Sequence, residues 1–276
     1  MLSDIKITAL YCIVDDMLKA LHHSEDIRVR VSDSEVITTA FVSVLYFGGH
    51  LDNARHFMQL KGYVPQMLDK SRYNRRLHRL ADLLLSMFFE LGQYLKDMAG
   101  ASDYLLDSFP VAVCQNVRIN RCRVLKGKQW HGRCPSLAQY FYGVRVQVLT
   151  LKGVPVEFCL MPGRENDYAV LQRLPFHVAP ESCIYMDAGY SHYETEDIAL
   201  DAEGIHLMIG RRGNTTRPDP PHITYLKERM RKNIETVFSQ VKAKMLRCIH
   251  AVTEKGFLLK VALFVIAYAF YKVSYN

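Results

Sequence analysis

The chain has 276 residues, 49% hydrophobic and 23% charged, an ordinary globular composition that excludes a disordered, collagen-like or coiled-coil protein. At roughly 100–200 residues per domain, this length suits one large domain or two small ones. The net charge is +7; residues 1–100 balance 12 Lys/Arg with 12 Asp/Glu, so the whole excess lies in residues 101–276, with 23 against 16, a bias toward a polyanionic partner that does not identify it.

The first hundred residues read as helices. Met1 to Ala20 threads Asp4, Lys6, Asp15 and Asp16 through its apolar positions, unlike a charged-then-apolar secretory leader. Ser32-Asp33-Ser34-Glu35 has capping-box spacing and opens an apolar stretch through Val36, Ile37, Phe41, Val44 and Leu45 that Gly48-Gly49 stops. A second helical segment is expected from about Ser71 to Lys96, with Leu77, Leu80, Leu84, Met87, Phe88 and Leu91 at helical spacing. Its first turns carry Arg72, Arg75, Arg76 and Arg79 on one face. That stripe reads equally well as a solvated helix face. Met98 to Ser102 breaks the pattern, dividing a helical region 1–100 from a second region 101–276.

Beyond the break the period changes. Asp103–Val113 reads as a strand, and Tyr140–Leu151 alternates Val144, Val146 and Val148 with Arg145 and Gln147. Lys152-Gly153 turns the chain into a hairpin partner, Val154–Leu160. A helical stretch follows Pro162-Gly163, with Asn166 or Asp167 as its cap. Cys183–Met186 reads as a buried strand, Tyr193–Ala202 as a helix, Ile205–Ile209 as a strand and about Thr224–His250 as a long helix. A hairpin followed by alternating strands and helices means an α/β fold: a mixed, five-stranded sheet with helices on its faces. The apolar run Phe257–Tyr271 holds 15 residues including Lys260, short of the roughly 20 that cross a bilayer. It is expected to be a helix covering the sheet. The seven scattered cysteines form no Cys-x-x-Cys pair and suit reduced thiols in a cytosol better than a disulfide framework.

Two acids sit at expected strand ends: Asp107 before Pro110 on the first, and Asp187 directly after the fourth. An acid beside a buried apolar run is costly unless a cation pairs with it. On the last helix Arg231, Glu235 and Lys242 fall at i, i+4 and i+11, within about 40° of one another at 100° per residue. Three carboxylates so placed would form an oxygen-only cage suited to Mg²⁺, and two metals about 3.5–4 Å apart serve phosphodiester chemistry. The bland alternative for Arg231 and Glu235 is a surface ion pair worth about 0.3–0.5 kcal/mol.

Asp107, Asp187 and Glu235 so arranged resemble the DDE triad of ribonuclease-H-fold transposases. Arg231-x3-Glu235-x6-Lys242 matches three of the four residues of the Tyr-Arg-Glu-Lys signature of insertion-sequence transposases, with Glu228 where the signature has tyrosine. Asp107-Ser108-Phe109-Pro110-Val111 and Asp187-Ala188-Gly189-Tyr190 are similar to the insertion-sequence family numbered 982. The likeness spans nearly the whole chain: a helical N-terminal region, helix-turn-helix-like, before a ribonuclease-H-like core. It implies a cytoplasmic, nucleoid-associated prokaryotic enzyme that cleaves at the terminal inverted repeats of a mobile element and joins the 3′ ends to target DNA. The triad would bind two Mg²⁺, for which Mn²⁺ substitutes, and a homodimer or higher multimer would pair two DNA ends. A ribonuclease-H-fold nuclease that cuts without joining and a non-catalytic DNA-binding relative are the alternatives.

Further DNA contacts are expected in Val117–Arg133, where Arg118, Arg121, Arg123, Lys126, Lys128 and Arg133 occur with no acid and would neutralise phosphates. Trp130 in the same stretch is a candidate to stack on an unpaired base. Arg211 and Arg212, with Arg217, follow the last strand and are expected beside the site, and the resemblance adds Arg72, Arg75, Arg76 and Arg79 on the duplex. Cys122, His131 and Cys134 match no standard zinc spacing. Neither a phosphate-binding P-loop nor a nucleophile elbow is present. Glu157 reads as an outward-facing strand residue, and no membrane role is expected.

Overall fold

The computed structural model describes residues 4–134, 139–174, 176–244 and 249–274. By internal contacts the chain divides into two units, Met1–Glu90 with Ala243–Asn276, and Leu91–Lys242.

The first unit is helical. It contains α1 (Asp4–Ala20), α2 (Asp33–Phe47), α3 (Leu51–Leu60), α4 (Lys70–Arg79), the start of α5 (Ala81–Ala99) and α8 (Glu254–Val273). The capping box on α2 is complete: Ser32 Oγ accepts from the Glu35 amide at 3.1 Å while the Glu35 carboxylate accepts from the Ser32 amide at 2.7 Å. Gly48 closes the helix in the left-handed region, φ 55°, which costs glycine nothing. Buried from Val36 to Leu45, α2 is the central helix of this unit, as a helix apolar all round must be.

The expected single segment 71–96 is two helices, because the chain leaves helical geometry at Leu80, φ −85° and ψ 3°. No glycine or proline marks that break. The expectation that the C-terminal apolar helix covers the sheet is also corrected. α8 packs on α2 and α1, with Phe41 and Phe270 ring centroids 5.0 Å apart. At 20 residues, α8 is longer than the apolar run suggested, and by length and composition it could cross a membrane. Its unbroken buried run Val261–Phe270 accounts for that composition as protein core.

The second unit is built on a mixed sheet of β1 (Asp103–Cys114), β2 (His131–Cys134), β3 (Gln139–Leu151), β4 (Val154–Pro162), β5 (Cys183–Met186) and β6 (His206–Ile209). The order is β2-β3-β1-β5-β6, with β4 also on β3. β1, β3 and β4 are antiparallel neighbours, whereas β1, β5 and β6 run parallel. There are six strands where five were expected. The extra one, β2, reads His-Gly-Arg-Cys and offers no apolar alternation to detect. α6 (Tyr193–Glu203) lies between β5 and β6, and α7 (Pro221–Lys244) follows β6.

Register assigns the two faces. On β1, Tyr104 and Leu106 join the buried cluster that includes Leu149, Leu151, Ile184, Met186 and Tyr190. Asp107 and Phe109, opposite Val148 and Val146, lie on the other face. Glu157 does not face outward. It is 4% exposed and paired with Lys96 of α5, which also donates to the Phe176 carbonyl at 2.9 Å. Gly92 makes this possible, since a Cβ there would stand 2.0 Å from the Val156 carbonyl oxygen. Only glycine lets α5 settle directly onto β4.

Candidate active site at the end of the sheet

The parallel β1–β5 ladder ends with Leu105 opposite Tyr185. Asp107 and Asp187 each lie two residues beyond that last pair, an even step that puts both on the side of Leu105 and Tyr185. Each carboxylate accepts from the amide of the residue that follows it: Ser108 N to Asp107 and Ala188 N to Asp187, both at 2.7 Å. These bonds fix the direction of each side chain.

α7 brings the third acid. Near its start, Lys227 Nζ donates to the Ile209 carbonyl at 3.0 Å and to Asp219 at 2.7 Å, tying the helix to the end of β6. Further along, Phe238 (2% exposed) meets Phe109 (1% exposed) edge to face, with centroids 6.1 Å apart. Phe109 shares its face with Asp107, and Phe238 is i+3 from Glu235 on the helix. One aromatic contact therefore docks the Glu235 turn of α7 against the Asp107 end of β1.

Arg231 lies between the remaining two acids, its guanidinium 3.6 Å from Asp187 and 3.7 Å from Glu235. The side chains of Asp187, Arg231 and Glu235 are 49%, 60% and 70% exposed, so water screens these pairs and each contributes little stability. The three acids are not within 4.8 Å of one another: among the described residues, only His23, Glu25 and Asp33 form so tight a group. The oxygen-only donor set at the sheet end nevertheless suits a hard divalent cation, and two of its members already share a cationic neighbour.

On the opposite face of the sheet, directly behind the two aspartates, lies a polar cluster. Asp167 accepts from Ser108 Oγ at 2.8 Å, Arg145 Nη1 at 3.1 Å and Gln147 Nε2 at 3.0 Å. The Tyr190 hydroxyl donates to Gln147 Oε1 at 2.5 Å. Burial, reinforced by the charges of Asp167 and Asp107, raises the Tyr190 phenol well above its ordinary pKa, so it remains a donor. Of the two capping candidates, Asn166 holds the capping position of the short 3₁₀ turn Asp167–Gln172, without a side-chain cap bond, and Asp167 serves this cluster instead. Arg145 and Gln147, 9% and 0% exposed, are likewise inside, although polar residues alternating with valines suggest a solvated face.

The expected DNA contacts divide by geometry. Arg118, Arg121, Arg123, Lys126, Lys128 and Arg133 are all exposed. Trp130 is not: it is 9% exposed and its indole NH donates to the Lys126 carbonyl at 3.1 Å. The only tryptophan anchors the basic loop from beneath and offers no ring to a base. Arg212 is exposed and lines an open pocket of about 290 Å³ with Ser191, Tyr193, Asn214, Thr215 and Thr216. Arg211 is held inside instead, its two terminal nitrogens 2.7 and 2.6 Å from the Glu196 carboxylate. Arg217 pairs with Asp197 in the same two-pronged way.

On α4, the Tyr73 hydroxyl donates to the Val36 carbonyl at 2.9 Å and turns the Tyr73–Leu77 side inward. Arg72, Arg75 and Arg79 are exposed. Arg76 departs from the expected stripe: it binds Asp33 at 2.6 Å and Glu25 at 3.3 Å. It thus fills the tight His23–Glu25–Asp33 group with its own guanidinium, and that group is an ion-pair knot. The side chain of Lys242, with those of Ile234, Val237, Val241 and Met245, lies outside the described residues.

The family described as Transposase DDE domain matches residues 99–253, over half of the chain. The chain belongs to this family. Curated proteins and solved structures give no significant match. Membership in the DDE transposases brings with it DNA as partner and divalent-metal use, and the mixed sheet with flanking helices is the architecture expected for such a domain.

Proposed function

We propose that this DDE transposase, of the insertion-sequence family numbered 982, binds the terminal inverted repeats of its element, cleaves the DNA and joins the 3′ ends to target DNA. The observation that supports the reading is that Asp107 and Asp187 lie two residues beyond the last pair of one parallel ladder, while Phe238, on the turn after Glu235, packs on Phe109 and Arg231 pairs with both Asp187 and Glu235. In this reading Asp107, Asp187 and Glu235 hold two Mg²⁺, or Mn²⁺ in its place. Bound there, such ions supply Lewis acidity and lower the pKa of a water or 3′-hydroxyl nucleophile.

The chain's own residues orient and neutralise. The Ser108 and Ala188 amides fix the aspartates, and Arg231 steers Asp187 and Glu235 while offering charge to a phosphate. Arg212, and Lys242 by its spacing in the sequence, add phosphate contacts. The exposed cations Arg118, Arg121, Arg123, Lys126 and Lys128 hold the flanking backbone, and Arg72, Arg75 and Arg79 of a helix-turn-helix-like α2–α4 arrangement meet the duplex. Paired ends call for a homodimer or higher multimer, at work on the nucleoid in the cytoplasm. An intact triad favours this over a non-catalytic DNA-binding relative, and joined products distinguish it from a nuclease that only cuts.

The test uses labelled repeat ends with Mg²⁺. Asp107→Asn, Asp187→Asn and Glu235→Gln are each expected to abolish nicking while leaving end binding intact. Metal-dependent nicking that survives any one of these changes removes that residue from the site.

A further inference from the structure

We propose that the cluster Ser108–Arg145–Gln147–Asp167–Tyr190, on the face of the sheet opposite the acids, is a positioning device that sets both strand-end aspartates for metal binding. The inference rests on the triad reading above.

Its basis is connectivity. Ser108 acts in both directions: its amide donates to the Asp107 carboxylate, and its hydroxyl is anchored to Asp167. The turn after Asp187 is held to the same hub through Tyr190, whose hydroxyl donates to Gln147, which in turn donates to Asp167. Gly189 lies between them; a Cβ there would stand 3.4 Å from Asp167 Oδ2. Arg145 completes the hub, donating to Asp167 at 3.1 Å and to the Arg133 carbonyl at 3.0 Å. Asp107 and Asp187 therefore sit on backbone segments that are fastened, one strand apart, to a single carboxylate beneath the sheet.

Gln147 and Tyr190 are fully buried and Asp167 is 26% exposed; polar groups in such a core are costly when unpaired and rigid when paired. Gln147 has both ends of its amide engaged, which fixes its orientation and spaces Tyr190 from Asp167. Such outer partners orient metal ligands, and their loss typically weakens metal binding about 10–100-fold.

The test is Mn²⁺ titration of the full chain by calorimetry, together with nicking of repeat ends as a function of Mn²⁺ concentration. Tyr190→Phe and Ser108→Ala each delete one hydroxyl. Each is expected to weaken Mn²⁺ binding by about 10–100-fold and to move the Mn²⁺ midpoint for nicking by the same factor, with nicking largely restored at saturating metal. Ser108→Thr keeps the hydroxyl and is expected to stay near wild type. Where Tyr190→Phe fails to fold, the Ser108 pair answers alone. Unchanged Mn²⁺ affinity in folded Tyr190→Phe and Ser108→Ala, with only a lower thermal midpoint, makes the cluster structural and overturns the inference. Asp107→Asn and Asp187→Asn run alongside: if they too retain wild-type Mn²⁺ affinity, the triad reading has failed, whereas loss confined to them leaves the triad standing and the hub refuted.

Discussion

Replacing Phe238 tests whether the aromatic contact with Phe109 places Glu235. Both rings are essentially buried, at 2% and 1% exposure, so Phe238→Ala removes a full core side chain at about 3–5 kcal/mol. That is a fifth or more of the margin of a domain holding about 5–15 kcal/mol, and loss of fold would obscure the result. Phe238→Leu is the sharper perturbation. It keeps most of the apolar volume, costing about 1.5 kcal/mol or less for the swap, and forfeits the edge-to-face term of about 0.5–1.5 kcal/mol. Glu235 stands one turn away on an exposed rim, and among the described side chains from Arg231 to Gln240 only Phe238 is buried, so that ring holds the turn in register. A shift of about 1 Å at a reacting centre costs on the order of 10²-fold. Denaturant unfolding of Phe109→Leu, Phe238→Leu and the double variant is expected to show a coupling of about 0.5–1.5 kcal/mol. Nicking by folded Phe238→Leu is expected to fall about 10²-fold with repeat-end affinity unchanged. Additive unfolding energies together with wild-type nicking would refute the docking argument.

Two further outcomes test other parts of the molecule. Lys96→Met strands the buried Glu157 carboxylate and is expected to cost about 3–5 kcal/mol near neutral pH, whereas Lys96→Met with Glu157→Leu recovers most of that loss. Burial holds the Glu157 carboxyl above its ordinary value of 4.5, so folding favours its protonated form. The part of the Lys96→Met penalty due to the stranded charge is therefore absent below that value and grows as pH rises through the native-state value, on top of the pH-independent loss of the bond to the Phe176 carbonyl; thermal midpoints whose penalty does not grow with pH contradict it. Neutralising Arg118, Arg121, Arg123, Lys126 and Lys128 to Gln is expected to flatten the dependence of log affinity on log salt by up to about 0.9 for each phosphate that is no longer neutralised, and an unchanged slope would mean that the loop touches no phosphate.

Much of this arrangement can be read from residue order, and the limits are physical. Period-2 valines and the Lys152-Gly153 turn specify the β3–β4 hairpin because strand and turn chemistry are local. The capping box at Ser32 is legible for the same reason. Partnership at long range is not. Glu157 and Lys96 are 61 residues apart, and only the approach allowed by Gly92 turns a surface-looking acid inward. Arg145 and Gln147 follow the alternation of a half-solvated strand, yet both faces of β3 are covered, so polarity on one face signals a polar core there. Trp130 and Arg76 mislead in the opposite sense: each belongs to a basic stretch, but one anchors its loop and the other neutralises two acids. Phe238 was legible in principle, since an aromatic at i+3 from a rim carboxylate must either be buried or leave a large apolar ring in water.

The two faces of the sheet meet opposing demands that one strand resolves. In the proposed site, the carboxylates must stay accessible to a DNA strand, so they cannot be packed rigid by apolar neighbours. Yet loosely held carboxylates forfeit the preorganisation on which charge stabilisation depends. β1 meets both demands through its pleat. Asp107 projects to the face that carries Phe109, and Ser108, one residue on, projects to the opposite face, where Asp167 holds it; both are half-buried. The turn after β5 repeats the solution with Tyr190, three residues past Asp187. Rigidity is thus generated in the core and delivered to the rim through one or two backbone units. A slip of one residue in the β1–β3 register would carry Asp107 to the opposite face and take Ser108 away from Asp167, removing the proposed site and its support together.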